Sequence, residues 1–176
     1  MAFNLQTFPL ISSLSILTTL LTGCYDNSST NNASTMDSPS IMSDEVFISS
    51  GTSFGLCVGY CKTTVIISDI NVKAVAINND ENNSQLSYES EISEIERDHI
   101  LSNIDSIFSL PDTVGCPDCA DGGSEWIEYT RGSTSKRVTF ECGQTINEIN
   151  TLLETIRPIR SDVFAKIGID PLCDPS

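Results

Sequence analysis

Basic residues are scarce in this sequence and histidine is almost absent: 9 Lys and Arg stand against 24 Asp and Glu, and His99 is the single histidine among 176 residues. The shortage of cations excludes nucleic acid as a partner, because phosphate binding requires clustered Lys and Arg. It also sets the chain against anionic lipid surfaces. With one histidine there is no multi-histidine zinc centre, and any Cys–His nucleophile is limited to His99. Neither a glycine-rich phosphate loop nor a serine nucleophile elbow occurs. Long hydrophobic runs are missing too. The most apolar stretch, Leu10–Leu21, falls short of the roughly 20 residues needed to cross a bilayer, and it has the length of a signal-peptide core. The surplus acid reads as a soluble, mutually repulsive surface, with a site for a cation or a basic partner as the functional alternative.

The end of that apolar stretch carries a specific motif. Leu21-Thr22-Gly23-Cys24 resembles the bacterial lipobox, in which a diacylglycerol joins the cysteine sulfur and cleavage exposes the cysteine amine. The segment at the start of the chain, Met1–Thr7, has no Lys or Arg and departs from the usual signal pattern, leaving the amino terminus as the only positive charge. The expected organisation is a signal peptide over 1–23, a lipidated Cys24 with a disordered tether over 24–43, and one folded domain over 44–176. The tether expectation rests on Tyr25–Ser40, rich in Asn, Ser and Thr with almost nothing to bury. A chain of this kind is held to the cell envelope through the lipid on Cys24. Because Tyr25 rather than Asp comes after Cys24, analogy with enteric lipoproteins favours the outer membrane in a Gram-negative cell.

In the remaining part, Glu45–Ser49 reads as a strand ended by Gly51. Lys62–Ile70, with its β-branched run Thr63–Ile67, reads as a second, Val72–Ile77 as a third and Gln85–Tyr88 as a short fourth. From Glu91 the apolar period becomes helical, with Ile92, Ile95, Leu101, Ile104 and Phe108 on one face, Ile100 and Ile107 widening it, and Ser90 as N-cap. Trp126–Tyr129 and Arg137–Phe140 read as a hairpin around Gly132. Thr145-Ile146-Asn147-Glu148 has the form of a capping box opening a second helix, with Ile146, Ile149, Leu152, Leu153 and Ile156 buried and Pro158 at its end. The order strands–helix–strands–helix predicts an α+β domain, an antiparallel sheet with two helices packed on one face.

Seven cysteines carry the strongest chemical signal. Lipidation consumes Cys24, and the even remainder, Cys57, Cys61, Cys116, Cys119, Cys142 and Cys173, reads in an exported domain as a disulfide framework. The Cys57/Cys61 group is expected to bridge to the Cys116/Cys119 group, pinning the early strands to the loop after the first helix. Cys142 is expected to pair with Cys173. Two rival readings use the same residues. Cys57-x3-Cys61 with Cys116-x2-Cys119 supplies four thiolates, formally enough for tetrahedral zinc, although exported thiols tend to oxidise first. Cys116-Pro117-Asp118-Cys119 is a C-x-x-C pair and so a candidate redox dithiol. No helix pattern begins there, however, and Asp118 and Asp121 oppose thiolate formation.

Asp112, Asp118, Asp121 and Glu125 cluster around this loop with Gly115, Gly122 and Gly123, a set that could hold calcium but does not match the EF-hand spacing. The plainer expectation is a tight solvated turn. His99 is expected to be a partly buried structural residue, and Trp126 a core residue. Phe54 and Tyr60 could face a partner, although such aromatics more often fold back on the core.

The segments Gly51-Thr52-Ser53-Phe54-Gly55-Leu56-Cys57-Val58-Gly59-Tyr60-Cys61 and Gly115-Cys116-Pro117-Asp118-Cys119-Ala120-Asp121-Gly122-Gly123 resemble an uncharacterised family of bacterial exported domains and lipoproteins. Its members carry G-T-S-F-G-x-C-x-G-Y-C and G-C-P-D-C-A-D-G-G stretches. The resemblance spans most of Glu45–Arg157 and implies no activity. It also implies that Cys142 and Cys173, outside the shared pattern, are an added pair. With no catalytic set and no cofactor signature, the expectation is a non-enzymatic binding or structural module with an envelope protein as partner. A thiol–disulfide redox protein and a divalent-cation-binding domain are the alternatives.

Overall fold

The computed structural model describes residues 44–170 and Cys173. The lipobox, Cys24 and the tether lie outside the described residues. Six antiparallel strands, β1 (Val46–Ser53), β2 (Tyr60–Ser68), β3 (Asn71–Asn78), β4 (Gln85–Glu91), β5 (Ser124–Arg131) and β6 (Thr134–Glu141), form one sheet in the spatial order β4-β3-β2-β1-β5-β6. Helix α1 (Glu94–Asn103), continued by a 3-10 segment over Ile104–Ser109, and helix α2 (Asn150–Ala165) cover one face. This is the α+β class expected from the sequence.

Strand alternation divides the sheet cleanly. Ile48, Val65, Ile67, Val72, Ala74, Ala76, Ile127, Val138 and Phe140 point inward and are buried against Ile100, Ile104, Ile107, Leu152, Leu153, Ile156 and Phe164. At about 1.5–3 kcal/mol per buried large aliphatic or aromatic side chain, this layer is the main driving force of folding. Towards one end the inward row turns polar. Ser50, Thr52, Thr63 and Glu125 are all buried there, and the hydroxyls of Thr52 and Thr63 lie 2.6 Å apart.

Several local expectations are corrected. Gly51 does not end β1. It sits mid-strand opposite Trp126, where a Cβ would strike the Thr63 carbonyl and the indole ring, so this glycine permits a close approach rather than a turn. Trp126 is half-buried on the outer face rather than in the core, and the Arg137 guanidinium stacks 3.8 Å from its ring centroid. β4 runs on through Ser90 to Glu91, so Ser90 is not the cap. The cap is Ser93, which forms a reciprocal capping box with Glu96. Because α1 starts later and tightens into a 3-10 turn, its buried stripe is Ile100, Ile104 and Ile107, while Ile95, Leu101 and Phe108 stay exposed.

The box at Thr145–Glu148 does not form either. A 3-10 turn over Asn147–Ile149 leads into α2, whose N-cap Ile149 offers no side-chain acceptor. Pro158 lies inside α2, not at its end. A proline there costs about 3 kcal/mol, and burial of Ile159, Val163 and Phe164 beyond it outweighs that cost.

Candidate functional site

The β1–β2 connection, the approach to β5 and the turn after β6 meet at one end of the sheet, because Ser53 pairs with both Lys62 and Ser124, and Ser124 pairs with Glu141. All six non-lipobox cysteines gather there in three bonded pairs: Cys57–Cys61, Cys116–Cys119 and Cys142–Cys173, with Cα separations of 5.6, 5.5 and 5.0 Å. The Cys142–Cys173 pairing agrees with expectation. The expected bridging of the Cys57/Cys61 group to the Cys116/Cys119 group is overturned, because each group closes on itself. Their spacings of 4 and 3 residues already bring the Cα atoms within bridging range. The four sulfurs are therefore not a thiolate set for zinc.

Packing, not a disulfide, joins the two loops. The Phe54 ring fills the space a side chain at Gly123 would need, and Gly123 has φ +77°, so only glycine serves there. The Asp118 carboxylate lies over Gly55, where a Cβ would come within 3.0 Å of its Oδ2. The 116–123 loop is held by its own hydrogen bonds. Asp118 N–H donates to the Gly123 carbonyl (3.0 Å), Gly123 N–H to Asp118 Oδ1 (3.2 Å), and Cys116 N–H to Glu141 Oε1 (2.9 Å). Asp118, Ala120 and Asp121 all adopt left-handed φ, from 53° to 60°. Of these only Ala120 lacks a side chain suited to that region.

The β1–β2 loop is equally constrained. Phe54 N–H donates to the Cys61 carbonyl (3.1 Å), and Asn79 N–H from the β3–β4 loop donates to the Gly59 carbonyl (2.8 Å). Phe54 and Tyr60 fold back, as apolar rings normally do, but Leu56 and Val58 do not: they are 80% and 102% exposed. The loop from Phe54 to Cys61 carries no charge, in a chain whose net charge is −15.

Beneath this end lies a buried ion cluster. Glu125, fully buried at the start of β5, accepts from Arg157 Nε (3.0 Å) and Nη2 (2.7 Å), from Arg160 Nη2 (2.8 Å) and from Gly143 N–H (3.3 Å). Arg157 also donates to the Gln144 carbonyl, and Arg160 to the Ser50 hydroxyl. The cluster ties α2 to β1, β5 and the turn that carries Cys142. Sequence reading placed Glu125 in the acidic loop and overlooked the arginines. The available signal was their position: two of only nine basic residues, three apart, within the apolar stripe of α2.

The four carboxylates considered for calcium do not converge. Glu125 is engaged by the arginines, Asp112 pairs with Lys136 on β6, and Asp118 is turned onto its own loop. Among the described residues no group of three or more metal-ligating side chains occurs. His99 is exposed rather than partly buried. Its Nδ1 lies 2.8 Å from Thr155 Oγ1, a hydrogen bond that clips α1 to α2. Near the opposite end of the sheet, a cleft of about 300 Å³ lies between Ile48, Ile67, Ile100 and Leu101. Its polar groups are paired with one another, Arg97 with Asp69 and the Ser68 hydroxyl with the Glu45 carboxylate. No protein-family model matches the chain, and no curated protein is significantly similar to it.

Proposed function

We propose that this chain is a non-enzymatic binding module of the bacterial cell envelope, anchored through a lipid on Cys24, which presents its disulfide-bearing end to an envelope protein. One observation carries the reading: the uncharged Phe54–Cys61 loop holds Leu56 and Val58 out in solvent on a backbone fixed by a disulfide and by Asn79. A rigid loop loses little conformational freedom on binding, so the apolar contact translates more fully into affinity. A few buried apolar anchors surrounded by polar groups are also what dominates protein interfaces. The chain starts β1 at the end of the sheet away from this loop.

The test is a photo-crosslinking residue at position 58 in cells, with position 148 as control. A discrete adduct from 58 alone, lost in a Leu56→Asp, Val58→Asp background, is the expected result. No adduct, or equal adducts from both sites, defeats the reading. In parallel, Cys24→Ser should move the protein from the membrane fraction to the soluble one.

A second reading uses the Cys116–Cys119 pair, exposed at both residues, for thiol–disulfide exchange with a partner dithiol. It requires that mild reduction make these two thiols, ahead of the other pairs, available to alkylation in the native protein.

A further inference from the structure

The two edges of the sheet are treated differently, and from that difference we propose that β4 is a self-association edge, pairing antiparallel with β4 of a second copy of this chain. A sheet edge offers unpaired N–H and C=O groups, and proteins usually guard it with proline, lysine, a bulge, an inward charge or a covering segment. The β6 edge is guarded. Residues 112–114 run alongside it, with Val114 N–H donating to the Thr139 carbonyl and Thr139 N–H to the Asp112 carbonyl, both 2.9 Å. Lys136 and Arg137 add cations on the same strand.

β4, Gln85-Leu86-Ser87-Tyr88-Glu89-Ser90-Glu91, carries only the outer-face carboxylates of Glu89 and Glu91 and, among the described residues, none of the other devices. It contains no proline and no lysine, and its register with β3 is unbroken from Gln85 to Glu91. Its inward-facing residues are Leu86, Tyr88 and Ser90, opposite buried Ala76, Ala74 and Val72, so no inward charge warns a partner off. No described segment lies beyond it in the sheet.

The hydrogen-bond phase identifies which groups are free. Asn78 N–H donates to the Ser84 carbonyl and Ile92 N–H to the Ile70 carbonyl. Alternation then turns the backbone groups of Leu86, Tyr88 and Ser90 towards β3, and those of Gln85, Ser87, Glu89 and Glu91 outward. A twofold-symmetric pair must match outward-facing residues with outward-facing residues, which leaves registers centred on Ser87, Tyr88 or Glu89. Centring on Glu89 sets two carboxylates directly opposite each other and is disfavoured. Centring on Tyr88 uses the whole strand. It sets Glu89 against the partner's Ser87 and Glu91 against the partner's Gln85, so each carboxylate meets a neutral donor and every outward N–H and C=O is satisfied. Lys73, 3.8 Å from Glu89, softens the diagonal approach of Glu89 to the partner's Glu89. Tyr88 meets the partner's Tyr88, and Leu86, 38% exposed in the single chain, becomes covered.

The proposal is tested by sedimentation velocity of the folded domain over a range reaching millimolar concentration. A reversible monomer–dimer equilibrium is expected. Ser87→Pro removes an outward N–H that β3 does not use and should abolish the dimer. Ser87→Lys sets a cation against Glu89 of each partner and should tighten it about threefold or more, whereas Ser87→Glu should weaken it by a similar factor. The two charge variants keep the test decisive if the proline variant folds poorly. A protein that stays monomeric throughout overturns the proposal. So does a dimer indifferent to all three substitutions, or one that responds to Ser87→Lys and Ser87→Glu with the same sign.

Discussion

Removing the Glu125 carboxylate should be among the most damaging single changes available to this domain. In Glu125→Ala, two buried guanidinium groups lose their shared counter-charge, and Arg160, itself fully buried, keeps only the Ser50 hydroxyl. Breaking a buried ion pair from one side typically costs 3–5 kcal/mol, because the remaining charge stays desolvated. The lost hydrogen bonds to charged donors point the same way. A value of about 4 kcal/mol is a large fraction of the 5–15 kcal/mol that holds a typical domain together. For a folded part of about 130 residues it corresponds to a fall in Tm of roughly 15 °C.

The assay is urea unfolding followed by Trp126 fluorescence, with thermal unfolding as a second probe. Arg160→Met should cost more than Arg157→Met, since Arg157 lies nearer to solvent. The triple replacement Glu125→Leu, Arg157→Met, Arg160→Met should recover most of the loss, because a cluster replaced whole leaves no orphan charge. A loss below about 1 kcal/mol for Glu125→Ala, or a triple variant no better than the single one, would refute the reasoning: it would mean that water reaches the cluster and screens it.

Three further outcomes are expected. Gly51→Ala should destabilise by about 3 kcal/mol or more, since the new methyl meets the Thr63 backbone and the Trp126 ring; chemical denaturation measures it, and a shift in the indole emission should accompany it. Cys142→Ser, Cys173→Ser opens a loop spanning 31 residues and should cost about 4 kcal/mol, against about 2 kcal/mol for Cys57→Ser, Cys61→Ser, whose span is 4; the comparison is read from unfolding midpoints under non-reducing conditions. The Ser93 side chain and backbone N–H hold the Glu96 carboxyl below its ordinary value. Its share of stability is therefore complete above that ordinary value and lost as pH falls through the lowered one. Ser93→Ala should cost about 1 kcal/mol at neutral pH, and the difference from wild type should shrink in acid when both are followed by circular dichroism.

Sequence alone determined the class and order of the elements, because β-branched runs such as Thr63–Ile67 and the helical apolar period after Glu91 are local signals that burial reinforces. The same local logic brought out the cysteine framework as a whole. Ser90 and Thr145 both carry the local mark of an N-cap, but whether Ser90 caps a helix or extends a strand depends on the neighbouring strand, here β3, which pairs with β4 through Glu91, while the chain after Thr145 enters a 3-10 turn instead.

Only the tertiary structure decided the rest. It closed the Cys57/Cys61 and Cys116/Cys119 pairs locally and joined their loops through Phe54 on Gly123 instead. It turned Leu56 and Val58 outward, drew Glu125 from an apparent acidic loop into a buried cluster with Arg157 and Arg160, and set β4 at one sheet edge while residues 112–114 run beside β6 at the other. Each of these depends on which distant segments share one end or one edge of the sheet. Strand order sets that, and its decisive step, the pairing of β1 with β5, joins segments such as Ser53 and Ser124 that no local period or spacing connects.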